Sequence, residues 1–194
     1  VYKRQVQGCG AVGSYLCNYL HEAGAKLVVS DIDEHRVQKM VERYGAQAAP
    51  TNTIHSADVD VFSPCALGAG LNDETIPQIK ASIIAGGANN QLRDEDRHGP
   101  MIRSRKILYA PDFVINAGGV INVYHELRGY HAEAAKRQAS HIFHTLLEIY
   151  AEAEQMDIPT YKAANRIAEK RIQAVRNISS IRTRFETDRR FPKV

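Results

Sequence analysis

The sequence has few cysteines, little excess of either charge and no long apolar run, and each absence excludes a class of protein. Its 194 residues include three cysteines, Cys9, Cys17 and Cys65, whose spacing matches neither a disulfide framework nor a metal site. A reducing, cytoplasmic setting is therefore expected. The 25 basic and 22 acidic residues are too evenly balanced to predict binding of nucleic acid. No apolar stretch approaches the ~20 residues of a membrane span, and no signal peptide is visible.

Side-chain arrangements typical of hydrolytic catalysis or metal binding are also missing. No Ser-His-Asp or Cys-His arrangement stands out in the sequence. His141 and His144 have a spacing that can suit a metal, but no third ligand accompanies them, so we interpret them as an exposed pair. His98 is interpreted as a polar loop residue. We therefore predict no metal site.

The start of the sequence lacks both an initiator methionine and the apolar residues of a typical central strand. Residues 1–7 contain few apolar side chains, whereas a central parallel strand is usually almost wholly apolar. We therefore expect this chain to be a fragment that begins just before, or within, its first strand.

The most informative stretch that is present has the pattern G-x-G-x-x-G, at Gly8, Gly10 and Gly13. A short β-like run precedes it and an amphipathic helix follows. Gly8 permits a sharp turn, Gly10 lets a pyrophosphate approach the backbone, and Gly13 lets the helix lie close to the sheet. The free N–H groups at the start of that helix face the phosphate charge. The pattern predicts a dinucleotide-binding site made by Gly8, Cys9, Gly10, Ala11, Val12 and Gly13.

Asp31 follows the second predicted strand and completes this pattern. It lies 18 positions after Gly13, close to the expected ~20, where a carboxylate accepts hydrogen bonds from ribose hydroxyls. A carboxylate there would repel a 2′-phosphate, which favours NAD over NADP. Arg36 is close in sequence and keeps the alternative open.

Strands alternate with helices over the first two thirds of the chain, which predicts a doubly wound, mostly parallel sheet of the Rossmann type. The first helix is expected to bury Val12, Leu16, Tyr19 and Ala23. Further helices are predicted at 34–44, between an Asp33 cap and Gly45, at 74–80, capped by Asp73, and in part of 94–105. Strands are predicted at 4–7, 26–30, 46–49, 60–64, 82–85 and 107–110.

Two long helices follow the sheet in this prediction. Apolar residues from Ala135 to Ala153 repeat at helical spacing, and a second helix begins at Thr160 with Ala164, Ala168, Ile172 and Val175 facing inward. We assign residues 1–130 to the dinucleotide-binding domain and 131–194 to a helical segment. That segment would pack on this domain, on an absent N-terminal domain or on a partner subunit.

Three further loops follow predicted strands and carry small or amide side chains, at 63–68, 86–91 and 116–120. Taken singly, each has a plain structural explanation, because Cys65 could be a small buried hydrophobe and asparagine is common in turns. Ligands of open α/β sheets bind beyond the carboxyl ends of the strands, where all three loops should meet. Together they therefore strengthen the prediction of a ligand site.

Nearly the whole chain resembles the Glu/Leu/Phe/Val amino-acid dehydrogenases, and the leucine type most closely. The resemblance is carried by residues 6–13, 62–69, 71–77, 84–92, 109–123 and 158–172. It implies that Cys65, Ala66 and Asn89 lie by the nicotinamide ribose of NAD and Asn116 by the nicotinamide and the substrate. It also implies that Val120 and Val123 line a pocket for the substrate side chain. Small β-branched residues there favour Leu, Ile or Val.

The catalytic residues of that family have no counterpart in this sequence. The family's lysines and proton-transferring aspartate lie in an N-terminal domain with a Gly-Gly-Lys motif, which is absent here. The resemblance thus implies the NAD-binding part of a homo-oligomeric enzyme that converts an L-amino acid to a 2-oxo acid and ammonia, inactive by itself. The alternatives are a phenylalanine- or valine-type enzyme, a non-catalytic NAD-binding regulatory module, or a hydroxy-acid dehydrogenase. The last is disfavoured because no histidine lies in the three loops.

Overall fold

Six parallel strands form one sheet at the centre of the protein. The computed structural model describes residues 2–66 and 68–187, with side chains described as far as residue 177. The strands are β1 Lys3–Gln7, β2 Lys26–Ser30, β3 Gln47–Ala48, β4 Val61–Pro64, β5 Ile83–Ile84 and β6 Leu108–Tyr109. Their order in the sheet is β3-β2-β1-β4-β5-β6. The predicted doubly wound sheet is confirmed, and its strand order reverses between β1 and β4.

Strand β1 is central although only one of its five residues is apolar. Val6 pairs with Val29 of β2 on one side and with Ser63 of β4 on the other. Gln5 is 1% exposed, and its side-chain amide donates a hydrogen bond to the carbonyl of Ile54. A polar residue is therefore accommodated in the middle of the sheet because a backbone carbonyl accepts from it.

Eight helices accompany the sheet in the described part of the chain. They are α1 Ala11–Glu22, α2 Glu34–Tyr44, α3 Glu95–Ser104, α4 Asp112–Ile115, α5 Gly118–Glu126, α6 Ala132–Ser140, α7 Ile142–Met156 and α8 Thr160–Thr187. Helix α1 packs on β1 and β2, α2 packs on β2 and β3, and α3 packs beside β6. None of the described helices combines the length and the apolar character needed to cross a bilayer.

The buried face of α1 differs from the predicted one. Val12 and Tyr19 are 57% and 65% exposed, whereas Gly13 and Cys17 are buried. The helix turns this other face to the sheet because Gly13, which has no side chain, is the residue that touches the strand. The prediction for α2 is confirmed. Asp33 caps it through a bond from the amide of His35, and Gly45 ends it in the left-handed conformation, with φ 63°.

The prediction of a helix at 74–80 is wrong. Only a short 3-10 turn, Ile76–Gln78, forms there. The side chain of Asn72 accepts hydrogen bonds from the amides of Glu74 and Thr75, which produces a turn in place of a helix cap. Asp73 forms an ion pair with Arg97 instead.

His98 is a buried residue of α3 and not the loop residue that the sequence predicted. It is 1% exposed, and its Nδ1 accepts a hydrogen bond from the amide of Asp94. Its Nε2 lies 3.5 Å from a carboxylate oxygen of Asp73. The ring therefore joins the start of α3 to the loop that follows β4.

The helical segment after the sheet is divided into more pieces than predicted. The single helix expected from Ala135 to Ala153 is interrupted at His141, between α6 and α7. Ala164 of α8 is buried as predicted, but Ala168 is exposed, and Ile172 and Val175 are 53% and 63% exposed. These three side chains therefore do not face inward within this chain, and residues 188–194 of the predicted segment lie outside the described residues.

The start of α8 is attached to α3. Tyr161 is 4% exposed, and its hydroxyl donates a hydrogen bond of 2.8 Å to a carboxylate oxygen of Asp96. A β carbon on Gly99 would lie 2.4 Å from the Tyr161 ring, so the glycine allows this close packing. Helix α7 packs against both α4 and α8. The helical segment thus packs back onto the sheet domain at α3 and α4.

Candidate dinucleotide-binding site

The three glycines of the G-x-G-x-x-G stretch occupy three different environments. Gly8 has φ +96°, and a β carbon there would lie 2.8 Å from the backbone of Cys65 and Ala66. A β carbon on Gly13 would lie 1.8 Å from the carbonyl oxygen of Gly8. Around Gly10 the nearest atom to such a carbon is Nη1 of Arg36, at 3.7 Å. Gly8 and Gly13 are thus required by internal packing, and Gly10 faces open space.

Helix α1 begins at this open space. Gly10 is its N-cap, and among the described residues no side chain caps the helix and no acidic residue occupies its first turn. The first amides of a helix have no partner within it, and the helix dipole makes this end positive. The start of α1 can therefore bind an anion such as a pyrophosphate.

Asp31 follows β2, and its carboxylate holds the glycine loop, residues 8–13, by a hydrogen bond. One carboxylate oxygen accepts from the amide of Cys9 at 2.6 Å, and the other accepts from the amide of Asp33 at 2.9 Å. Each oxygen keeps capacity for a further bond, because a carboxylate has about four acceptor positions. The half-buried carboxylate can thus order the loop and still accept from a hydroxyl of a ligand.

The three predicted loops meet at the carboxyl edge of the sheet. The amide of Ala88 donates to the carbonyl of Pro64 at 2.9 Å, which joins the loops after β4 and β5. The side-chain amide of Asn116 donates to the side-chain oxygen of Asn89, which joins the loop after β5 to the segment between α4 and α5. The structure therefore brings Cys65, Ala66, Asn89 and Asn116 to the edge where the sequence predicted them.

Two depressions border the segment that joins the glycine loop to α1. The asparagine cleft, of about 490 Å³, is lined by residues that include Val12, Leu16, Gly87, Asn89, Asn116 and Gly119. The arginine depression, of about 320 Å³, is lined by Cys9, Gly10, Ala11, Ser14, Arg36, Lys39 and Met40. An elongated ligand whose phosphates lie at Gly10 can therefore extend into both depressions.

The thiols of the site are held in their neutral form. Burial raises the pKa of Cys65, although the amide of Gly87, 3.5 Å from its Sγ, opposes the shift. Burial and then the charge of Asp31 raise the pKa of Cys9 to about 11. A thiolate is the reactive form of cysteine, so burial disfavours nucleophilic chemistry at either thiol.

Val120 and Val123, the predicted substrate-pocket residues, lie on α5 beside the asparagine cleft. They are 75% and 53% exposed, and the described part of the chain does not enclose them. His141 and His144 are exposed on the helical segment, with ring centres 5.5 Å apart. Among the described residues, no group of three or more His, Cys, Asp and Glu side chains is placed to hold a metal ion.

Two features of the site were not recognised from the sequence. Gln91 is 1% exposed, and its side-chain amide donates to the carbonyls of Gly86 and Ala88, at 2.8 and 3.0 Å. It therefore fixes the loop that carries Asn89. Ile32, next to Asp31, is 94% exposed and offers an apolar surface beside the carboxylate. Burial of Gln91 depends on how the loops meet, and no local pattern distinguishes it from an ordinary turn residue.

Comparison with known families places this arrangement in context. The model of the Glutamate/Leucine/Phenylalanine/Valine dehydrogenase family matches residues 29–178. The chain belongs to this family. The Glu/Leu/Phe/Val dehydrogenases are NAD(P)-dependent oxidoreductases, which agrees with a site built for a dinucleotide.

Individual members of the family are similar over most of the chain. The leucine dehydrogenase of Bacillus cereus is 51% identical over 175 residues, which are 90% of this chain and 48% of that enzyme. The phenylalanine dehydrogenase of Thermoactinomyces intermedius is 42% identical over 178 residues, 91% of this chain and 48% of that enzyme. This chain therefore spans about half the length of the curated relatives it matches.

A solved structure of a Glu/Leu/Phe/Val dehydrogenase relative has the same fold. The crystal structure of L-tryptophan dehydrogenase from Nostoc punctiforme superposes with a TM-score of 0.88 at 48% identity. The match covers 89% of this chain and 52% of that one. The doubly wound sheet and its helices are thus those of an amino-acid dehydrogenase.

Proposed function

We propose that this chain is the NAD-binding part of an L-amino-acid dehydrogenase, which oxidatively deaminates its substrate to a 2-oxo acid and ammonia. The observation that carries the proposal is the open backbone at Gly10, beside an uncapped helix start and within one loop of Asp31. The site lies where the strand order of the sheet reverses, which is where doubly wound folds bind dinucleotides. The 51% identity to a leucine dehydrogenase supports the same activity.

The residues from the start of α1 to Ile32 suit the pyrophosphate and the adenosine half of NAD. The amides at the start of α1, in the segment from Cys9 to Gly13, would hold the pyrophosphate, and Asp31 would accept from the adenosine ribose. The exposed side chain of Ile32 would contact the adenine, because it is the apolar surface next to that carboxylate. A carboxylate without a bound cation of its own favours NAD over NADP.

The asparagine cleft suits the nicotinamide half. Cys65, Ala66 and Asn89 would lie by the nicotinamide ribose, and Asn116, bonded to Asn89, by the nicotinamide and the substrate. When bound, NAD would accept the hydride from the α-carbon of the amino acid. The chain's own contribution is to hold the acceptor in one orientation, because the amide pair and the buried Gln91 fix the loop.

Proton transfer is assigned to residues outside this chain. We expect a lysine and an aspartate of an N-terminal domain to supply it, and a second lysine there to bind the substrate carboxylate, since no Gly-Gly-Lys motif occurs among the 194 residues. The isolated chain should therefore bind NAD without catalysing turnover. Residues 131–194 would support that domain or a neighbouring subunit.

A leucine-type substrate is the preferred assignment. Val120 and Val123 would line the pocket, and small β-branched side chains leave room for an aliphatic group. Identity alone does not separate the possibilities, because the tryptophan dehydrogenase of Nostoc punctiforme is 50% identical and the phenylalanine enzyme 42%. Activity with leucine, valine, phenylalanine and tryptophan should be compared on the whole enzyme.

The assembly and compartment are also inferred. Apolar side chains on α5 and α8, such as Val120, Ile172 and Val175, are more than half exposed in this chain, which favours burial against another subunit of a homo-oligomer. All three cysteines are free, as in a reducing compartment such as the cytoplasm. Light scattering on the whole protein would test the first inference.

The variant Gly10→Ala tests the site. Its new methyl group meets no atom closer than 3.7 Å, so the fold should be retained, but it would occupy the space beside the helix start. Calorimetric titration should show NAD binding to the parent chain and at least about tenfold weaker binding to the variant. Equal affinities, or a parent that binds no NAD at millimolar concentration, would contradict the proposal.

The upstream coding sequence and an activity assay test the enzyme assignment. A preceding domain with a Gly-Gly-Lys motif supports the dehydrogenase, and an unrelated domain supports a regulatory NAD-binding module. The chain alone should give no leucine-dependent NADH, and joining its upstream domain should restore the reaction. NADH formation by the chain alone would show that proton transfer does not need that domain.

A further inference from the structure

Asp112 is a buried acidic side chain at the start of α4 that, among the described residues, forms no ion pair. It is 7% exposed. One carboxylate oxygen accepts a hydrogen bond from the amide of Gln91 at 3.0 Å, and the other accepts from the amide of Phe113 at 2.9 Å. A buried carboxylate loses its hydration, and two neutral donors restore only part of that stabilisation. The negative charge is therefore kept here at a cost to stability.

The carboxylate of Asp112 is connected to both asparagines of the asparagine cleft. Gln91, whose amide it binds, follows Asn89 by two residues on the same loop. The amide of Asn116 donates to the backbone carbonyl of Asp112 at 3.0 Å, so Asn116 lies one helical turn, about 6 Å, from Asp112. The two asparagine side chains bond to each other. The buried charge thus lies close to the amide pair that would contact the nicotinamide.

The charge of Asp112 acts on groups beyond its own hydrogen bonds. Burial, and after it the charge of Asp112, raises the pKa of Glu95 and the pKa of Tyr109. Both of these groups are acids, so neither supplies a positive charge that would cancel the carboxylate. A negative potential therefore extends from Asp112 into its surroundings.

The two redox forms of the cofactor differ in charge at the nicotinamide ring. NAD carries a cationic pyridinium there, whereas the ring of NADH is neutral. A fixed negative charge therefore attracts the first ring and leaves the second almost unaffected. At a separation on the order of 10 Å and an effective dielectric constant of about 20, Coulomb's law makes this attraction worth about tenfold in affinity.

We propose that the buried carboxylate of Asp112 shifts the binding preference of this chain toward the oxidised cofactor, NAD, relative to NADH. The inference rests on the proposed function, because it requires the nicotinamide to lie beside Asn116. Tighter binding of the oxidised form lowers the midpoint potential of the bound cofactor, by about 30 mV for a tenfold change in the affinity ratio. NADH in this site would then give up its hydride more readily, since the cation that results is stabilised.

Titration of NAD and of NADH into the parent chain and two variants tests the inference. Asp112→Asn removes the charge and keeps an oxygen that can accept from the amide of Gln91. The control Asp58→Asn makes the same change before β4, at the amino edge of the sheet, where the side chain is exposed and pairs with Lys3. Asp112→Asn should weaken NAD about tenfold more than it weakens NADH. The control should leave the ratio of the two affinities unchanged.

A change of the ratio by less than about twofold in Asp112→Asn would overturn the inference and keep the NAD site, even if both ligands bind more weakly, because Asp112 would then only hold the loop. If the parent binds neither ligand, the inference and the proposed function fail together.

A second pair of variants decides the question if Asp112→Asn does not fold. Phe113 follows Asp112 in the chain and is 43% exposed, so Phe113→Lys places a cation beside the intact carboxylate without filling the core. It should weaken NAD relative to NADH by about threefold, and the neutral control Phe113→Gln should not. Equal ratios in these two variants would show that a charge at this place does not reach the nicotinamide, which overturns the inference.

Discussion

Replacing Gly13 by alanine should loosen the packing of α1 on β1 more than any comparable change in the helix. The added β carbon would lie 1.8 Å from the carbonyl oxygen of Gly8, whereas real β carbons keep at least about 3.0 Å from such atoms. The obstacle is backbone and not the end of a flexible side chain. Helix and strand would therefore have to separate by roughly 1 Å.

The expected cost lies at the upper end of the range for overpacking, about 3 kcal/mol in the free energy of unfolding. With a urea dependence of about 2 kcal/mol per molar, the unfolding midpoint should fall by on the order of 1.5 M. Urea unfolding followed by circular dichroism, without dinucleotide, measures this directly.

Gly119→Ala is the matched control, because it makes the same chemical change where nothing lies within 4 Å of the new carbon. In a helix, alanine should raise the free energy of unfolding there by about 0.5 kcal/mol. The two substitutions should thus have opposite signs. A Gly13→Ala protein that unfolds within about 0.5 kcal/mol of the parent would refute the inferred contact between α1 and β1.

Three further outcomes are expected. Gln91→Glu places an oxygen where a buried amide donates to two carbonyls. Urea unfolding should therefore show a free energy of unfolding lower by about 3 kcal/mol, and titration should show weaker binding of NAD. Tyr161→Phe removes the bond to Asp96 and should cost about 1 kcal/mol; an unchanged midpoint would show that the bond adds no stability. Burial raises the pKa of Cys9 to about 11 and of Cys17 to about 12, above about 8.5 in the unfolded chain. The free energy of unfolding should therefore fall as pH rises from 9 to 11, because the folded protein keeps thiol protons that the unfolded chain loses. The fall should be less steep in Cys17→Ala; equal slopes in the variant and the parent would contradict this reasoning.

The parts of the fold that depend on local chemistry were predictable from the sequence. The glycine loop, the Asp33 cap and the end of α2 at Gly45 each depend on a few adjacent residues, and the structure contains all three. The convergence of the loops was predictable because parallel strands bring their carboxyl ends to one edge.

Other features depend on contacts that periodicity does not record. The buried face of α1 is fixed by Gly13, which contributes nothing to a hydrophobic pattern, and the pattern therefore pointed to Val12 and Tyr19. Apolar spacing also shows which face of a helix is buried but not whether the helix is continuous, so the interruption at His141 was missed.

The burial of Gln91 and His98 could not be predicted for a related reason. Both are polar residues in segments rich in turn-forming or charged neighbours, and each is buried only because distant segments close over it. Apart from the Asp73 carboxylate beside Nε2 of His98, their side chains bond to backbone groups, which every sequence contains. The identity of the side chain alone therefore gives no indication of the environment.

The two amide bonds that Asp31 accepts have a consequence for redesigning cofactor preference. Removing the acid would end its repulsion of a 2′-phosphate, but here that change would also release the amide of Cys9 and with it the glycine turn that we propose to hold the diphosphate. Preference and affinity are thereby coupled through one carboxylate. In this scaffold, a change of cofactor preference is therefore better sought by adding positive groups around an intact Asp31 than by deleting it.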